Sequence, residues 1–70
     1  MIKFYKLMDL INRKEVSKGQ LQAMTGLSSA TMAKVSAHKI VSLEVIDKIC
    51  KALDCQPGDI MEYVPDPNNK

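Results

Sequence analysis

Residues 25–39, TGLSSATMAKVSAHK, concentrate the side chains best suited to act on another molecule. Thr25, Ser28, Ser29, Thr31 and Ser36 supply hydroxyls, Lys34 and Lys39 supply ammonium groups, and His38 is the only imidazole of the sequence. Hydroxyls near an imidazole could serve nucleophilic catalysis, which needs a base within reach and a third group to orient it. One histidine, no Gly-rich phosphate loop and no nucleophile with a suitable base argue against that, and 70 residues leave little room for a substrate cleft. The chain is read as a non-enzyme. Short hydroxyls and ammonium groups suit a second chemistry, hydrogen bonding to a groove approached closely because Ala30, Ala33 and Ala37 add no bulk.

Other site chemistries are limited by composition. Cys50 and Cys55 are the two cysteines, and with His38 they fall short of the four ligands of a structural zinc site. They read as small apolar core residues. No metal, cofactor or small-molecule ligand is implied. The longest apolar run is far too short to cross a bilayer and no signal-peptide pattern opens the chain, so a cytoplasmic protein with no membrane partner is expected. Apolar residues are 46% of the sequence with one Phe, two Tyr and no Trp, so the core must be aliphatic, which suits packed helices. Charge is lopsided. Residues 1–41 hold seven Lys and Arg against Asp9 and Glu15, whereas residues 42–70 hold three Lys against six acids. The basic half offers a face to a polyanion.

Such side chains need elements to hold them. One pattern recurs four times, as Val16-Ser17 before Leu21, Leu27-Ser28 before Met32, Val41-Ser42 before Ile46, and Cys55-Gln56 before Ile60. This is the hydrophobic staple, in which the residue before the N-cap packs on the fourth helical residue. The capping side chain accepts from an otherwise orphan backbone N–H. Gln20 completes a capping box with Ser17; Gln56 caps poorly, but Pro57 takes the favoured first helical position and Asp59 suits the helix dipole. With an opening helix, these starts predict an all-α domain of five helices over about 2–13, 18–25, 29–37, 43–53 and 57–63. Phe4, Leu7, Met8 and Ile11 form one stripe of helix 1, and helix 4 buries Ile46, Ile49, Cys50 and Leu53. Gly26 suits the left-handed end of helix 2. No sustained two-residue alternation occurs, so strands are not expected. Residues 1–64 make the domain, and 65–70, with two Pro and two Asn, a flexible tail.

Helices 2 and 3 are short, and the three residues Gly26, Leu27 and Ser28 between them force the steep crossing of a helix-turn-helix. Here the sequence resembles a known family. LQAMTGLSSATMAKVSAHKIVSLEVIDKICKALDCQPGDIM is similar to the DNA-binding domain of lambda repressor/Cro-like (Xre family) regulators, in particular a small single-domain bacterial subgroup. The resemblance covers about residues 2–63. It is carried by Leu21, Gly26, Leu27, Ser28, Thr31, Met32 and Val35 around the motif. Ser42, Leu43, Ile46, Ile49, Ala52 and Leu53 match the fourth helix, and CQPGDI matches the start of the fifth. Two positions depart from the family pattern. Gln22 replaces the usual Ala at the close approach of helices 2 and 3, so its amide must turn outward. His38 stands where Gly often ends helix 3, at a conformational cost.

The resemblance implies a five-helix lambda repressor-like domain that binds double-stranded DNA sequence-specifically, as a small transcriptional regulator and in first place a repressor. Helix 3 would lie in the major groove. Carried over position by position, Ser28, Ser29, Ala30, Thr31 and Lys34 face the bases, and Ser17, Lys18, Arg13, Lys14, His38 and Lys39 face phosphates. Lys34 can donate to guanine O6/N7, Ser29 to any base edge, and Ala30 can press on a thymine methyl. The family often has Gln or Arg at the place of Ser29 and gains a bidentate contact that this chain cannot make. Readout by one protomer is therefore weak, and DNA shape or a homodimer on a palindromic operator must add specificity.

Plainer readings stand beside these. Ser17, Ser28 and Ser42 are caps first, Lys34 can be a solvated helix residue, and His38 is a helix end rather than a pH switch or a ligand. Met8, Met24, Met32 and Met61 read as core filler. The rival function is a protein-interaction module, an antitoxin or co-regulator with weak DNA binding, using an acidic helix 4–5 face edged by Met61, Tyr63 and Val64.

Overall fold

The computed structural model describes residues 1–66; residues 67–70, four of the six expected in the tail, lie outside them. Strand β1 (Ile2–Lys3) leads into α1 (Tyr5–Arg13), α2 (Lys18–Thr25), α3 (Ser29–Ser36) and α4 (Leu43–Leu53). A 3-10 turn at Pro57–Asp59 and strand β2 (Glu62–Tyr63) follow. The serine-capped starts fall where the staple pattern puts them. Ser17 Oγ accepts from the Gln20 N–H at 3.0 Å, Ser28 Oγ from Thr31 at 3.1 Å and Ser42 Oγ from Val45 at 3.4 Å.

Two expectations fail at the ends of the chain. Helix 1 starts at Tyr5, not residue 2, because Ile2 and Lys3 pair antiparallel with Tyr63 and Glu62. Beyond them the Val64 N–H donates to the Met1 carbonyl at 2.8 Å, and the Met1 amino group to the Val64 carbonyl at 2.6 Å. A two-residue strand has no period to detect, and its partner is sixty positions away in the sequence. The fifth helix is a single 3-10 turn, with the Asp59 N–H donating to the Gln56 carbonyl at 2.8 Å and Ile60 to Pro57 at 3.1 Å. It stops there because Ile60 drops into the core and the next residues extend to meet β1. Four α-helices are therefore described, not five.

The core is aliphatic. Leu7, Ile11, Leu21, Leu27, Met32, Val35, Ile46, Ile49, Leu53 and Ile60 close around it, with Phe4 the single aromatic. Of the methionines, Met32 is buried and Met8 and Met61 pack partly against the core. Met24 is not core filler. It is half exposed, beside Lys48 and Lys51, because α2 spends its one fully buried position on Leu21.

Three helix ends use the same backbone device. Glu15, His38 and Asp54 adopt φ of 57°, 58° and 50°. Each is followed by a backbone bond back into the helix, from Val16 to Ile11 (2.8 Å), Lys39 to Lys34 (2.8 Å) and Cys55 to Cys50 (3.1 Å). Gly26, at φ 74°, ends α2 in the same left-handed region. Cys50 and Cys55 are free thiols packed against the core. Burial, then the neighbouring Cys50 thiol, pushes the Cys55 pKa up to about 11, so this thiol stays protonated at neutral pH. No helix among the described residues is long and apolar enough to cross a membrane.

Candidate nucleic-acid interface

The turn between α2 and α3 is built by four consecutive residues. Thr25 Oγ1 donates to the Leu21 carbonyl at 2.8 Å and accepts from the Leu27 N–H at 3.3 Å, closing the end of α2 from outside. Gly26 supplies the left-handed step without a Cβ. Leu27 is buried, and Ser28 opens α3 in an extended conformation (φ −73°, ψ 160°). Both helices pack against each other across this turn, and α2 also packs against α4.

On α3, Met32 and Val35 are buried, while Ser29, Ala30, Ala33 and Lys34 are exposed, with Ala37 continuing that face. The hydroxyls divide their tasks. Ser28 Oγ accepts from the Thr31 N–H and donates to Thr31 Oγ1 at 3.0 Å, so its donor and one acceptor site are committed to the cap. Thr31, half-buried, keeps its own hydroxyl proton for another acceptor. Gln22 Nε2 donates to Ser29 Oγ across the crossing at 3.4 Å, which leaves the Ser29 proton to point elsewhere. The amide thus links the two helices where the sequence suggested only an outward turn.

The other sequence-predicted residues fall in three places. Ser17 and Lys18 are exposed at the start of α2, and Lys39 is exposed just past α3. Arg13 and Lys14 line a different hollow, between α1, the end of α4 and the 3-10 turn, with Leu53, Cys55 and Gly58. There Arg13 is paired with Asp9 at 2.9 Å. His38 is half-buried, and its Nδ1 accepts from the Phe4 N–H at 2.9 Å.

Ala33 and Ala37, small residues already apparent in the sequence, complete the exposed stripe at helical spacing from Ala30. Thr25 and Gln22 act through contacts that only the folded turn defines. Tyr5, whose ring lies 4.6 Å from the His38 ring, had no local signal at all.

Two short capped helices joined through the left-handed Gly26 turn, the second with a small-residue face turned outward, have the form of a helix-turn-helix. The chain belongs to the Cro/C1-type helix-turn-helix DNA-binding domain family, whose profile matches residues 6–66. It is 36% identical over 59 residues to YozG of Bacillus subtilis (strain 168), an uncharacterized HTH-type transcriptional regulator, covering 81% of this chain and 70% of that protein. Its fold superposes on the crystal structure of the transcriptional regulator VanUg with a TM-score of 0.89 at 37% identity, over 93% of this chain and 87% of that one. Both relatives carry a regulator's name, and the domain is a DNA-binding one, not an enzyme.

Proposed function

We propose that the chain is a small cytoplasmic transcriptional regulator that binds double-stranded DNA sequence-specifically, with α3 in the major groove. Repression is the outcome that occupancy of an operator achieves without further parts. The observation that carries this reading is the exposed face of α3. Ser29, Ala30, Ala33 and Ala37 let the helix backbone come close to base edges, and Lys34 is the one long donor among them. Thr31 and Ser29 add hydroxyl donors, while Ser28 contributes mainly by holding the first turn. Ser17, Lys18 and Lys39 supply phosphate contacts, with Arg13 and Lys14 on the flank.

An exposed apolar groove supports a homodimer on a palindromic operator. Ile2, Ile40, Val41, Leu43 and Met61 line a depression of about 200 Å³, and Ile40 and Leu43 are 93% and 77% exposed. The groove begins directly after α3, so an isologous contact there sets two α3 helices side by side. Met61, expected as core filler and as an edge of the acidic helix 4–5 face, lines this groove. Tyr63, its expected neighbour, is exposed and does not line it.

The test is a fluorescence-anisotropy titration on duplexes recovered from a random DNA pool, at salt from about 50 to 200 mM. About five phosphate neutralisations predict a log–log slope of about −4 to −5. Lys34→Ala should flatten the preference between sequences, and Lys18→Ala should weaken all of them alike. No binding at micromolar protein, or a flat salt response, overturns the reading and favours the interaction module.

A further inference from the structure

We infer that His38 is a positioning residue whose neutral imidazole ties the C-terminal end of α3 to the start of α1, so that protonation releases the tie and weakens DNA binding. The inference rests on reading α3 as the recognition helix. Its ground is where the N-cap N–H groups go. In α2 the Ser17 N–H donates to Gln20 Oε1 at 2.8 Å, and in the 3-10 turn the Gln56 N–H donates to Asp59 Oδ2 at 2.9 Å. Both acceptors lie three residues on. At α1 the N-cap is Phe4, with no side-chain cap of its own, and its N–H donates to His38 Nδ1, 34 residues away. His38 does for α1 what Gln20 and Asp59 do within their own elements.

The rest of the geometry fixes the ring there. The left-handed backbone of His38, closed by the Lys39 N–H donating to the Lys34 carbonyl, turns the side chain from the end of α3 toward α1. The Tyr5 ring lies 4.6 Å away and tilted, and the Phe4 ring 6.4 Å away and nearly parallel. Phe4 itself is buried in the core, so the bond couples α3 to a rigid point. With Nδ1 accepting, the ring proton sits on Nε2. A second proton must go on Nδ1, where it meets the Phe4 N–H head-on. The bond is lost, and the Phe4 N–H is left without its acceptor.

The groups with charge or a titratable proton on neighbouring segments are Tyr5 on α1, Lys3 on β1 with Glu62 opposite it, and Lys34 and Lys39 on either side of His38. His38 is the single histidine of the chain, and the His38→Asn comparison separates its contribution from that of the Met1 amino group, which donates to the Val64 carbonyl.

The experiment compares the full chain with His38→Asn and His38→Ala on one selected duplex, at about pH 7 and 5.5 and constant ionic strength. Asparagine tolerates the left-handed backbone, offers Oδ1 near the position of Nδ1, and does not titrate in this range. The native chain should bind about fivefold more weakly at the lower pH, the size of one lost hydrogen bond. His38→Asn should bind nearly as well as native at both values, and His38→Ala weakly at both. The hydrogen-exchange protection factor of the Phe4 amide, measured without DNA, should fall on acidification in the native chain and stay level in His38→Asn. If His38 instead contacted a phosphate, acidification would tighten native binding; that sign, or a Phe4 protection factor indifferent to pH, overturns the proposal. Absence of DNA binding at either pH would count against the proposed function, and the Phe4 amide would still decide whether the tie exists.

Discussion

The two ends of α3 are held by different kinds of interaction. At the N-terminal end the cap is local: Gly26 turns the chain and Ser28 Oγ accepts from the Thr31 N–H, while Leu27 and Met32 pack into the core. At the C-terminal end the contact is remote, an imidazole after the helix meeting the N–H of Phe4. A local cap forms whenever its own helix forms. A remote one exists only after α1 and the core are in place, and its strength varies with whatever changes the imidazole. The end of α3 proposed to touch bases is thus held by a cap beside it in the sequence, and the other end by a contact with the start of α1.

Three substitutions break or sharpen that contrast, from the largest expected effect to the smallest. Met32→Ala removes the core contact beneath the N-terminal end and should cost about 2–4 kcal/mol, read as a lower urea midpoint with unchanged slope. A loss below about 1 kcal/mol would mean that this end does not depend on the staple. Gly26→Ala should cost about 1–2 kcal/mol for an entirely backbone reason, since a Cβ there meets nothing within 4 Å but φ is 74°. Were thermal unfolding to show no change, the turn would be adapting its conformation, and DNA affinity should then fall instead. Ser28→Ala should cost about 1 kcal/mol by loss of the cap. The same loss is expected at pH 5.5 and pH 7 because no titratable group takes part. A pH-dependent loss at Ser28 would erase the distinction between the ends.

Legibility in the sequence follows the same division. Ser17, Ser28 and Ser42 mark their helices because a cap, a staple and an apolar stripe all lie within one or two turns. The exposed face of α3 is legible for that reason, down to Lys34 as its one long donor. In the fifth element, Pro57 and Asp59 are valid first-turn signals that do not state how many turns follow. Ile60 then satisfies the core at once, and β2 takes the next residues. Met24 is exposed where core filler is expected, because helical spacing alone does not say which side of a short helix a neighbour will cover. His38 carried only the signal of an unusual residue at a left-handed position; its partner was invisible.

By itself, then, the sequence determined the serine-capped starts of α2, α3 and α4, the Gly26 turn, most of the aliphatic core and the small-residue face of α3. All of these depend on side chains meeting backbone groups or neighbours a few positions away, where spacing alone decides contact. Tertiary structure decided the pairing of Ile2–Lys3 with Glu62–Tyr63, the Gln22 link to Ser29 and the seating of His38 against Phe4. These join positions from 7 to about 60 residues apart, and their loop-closure entropy is offset only when the whole core assembles.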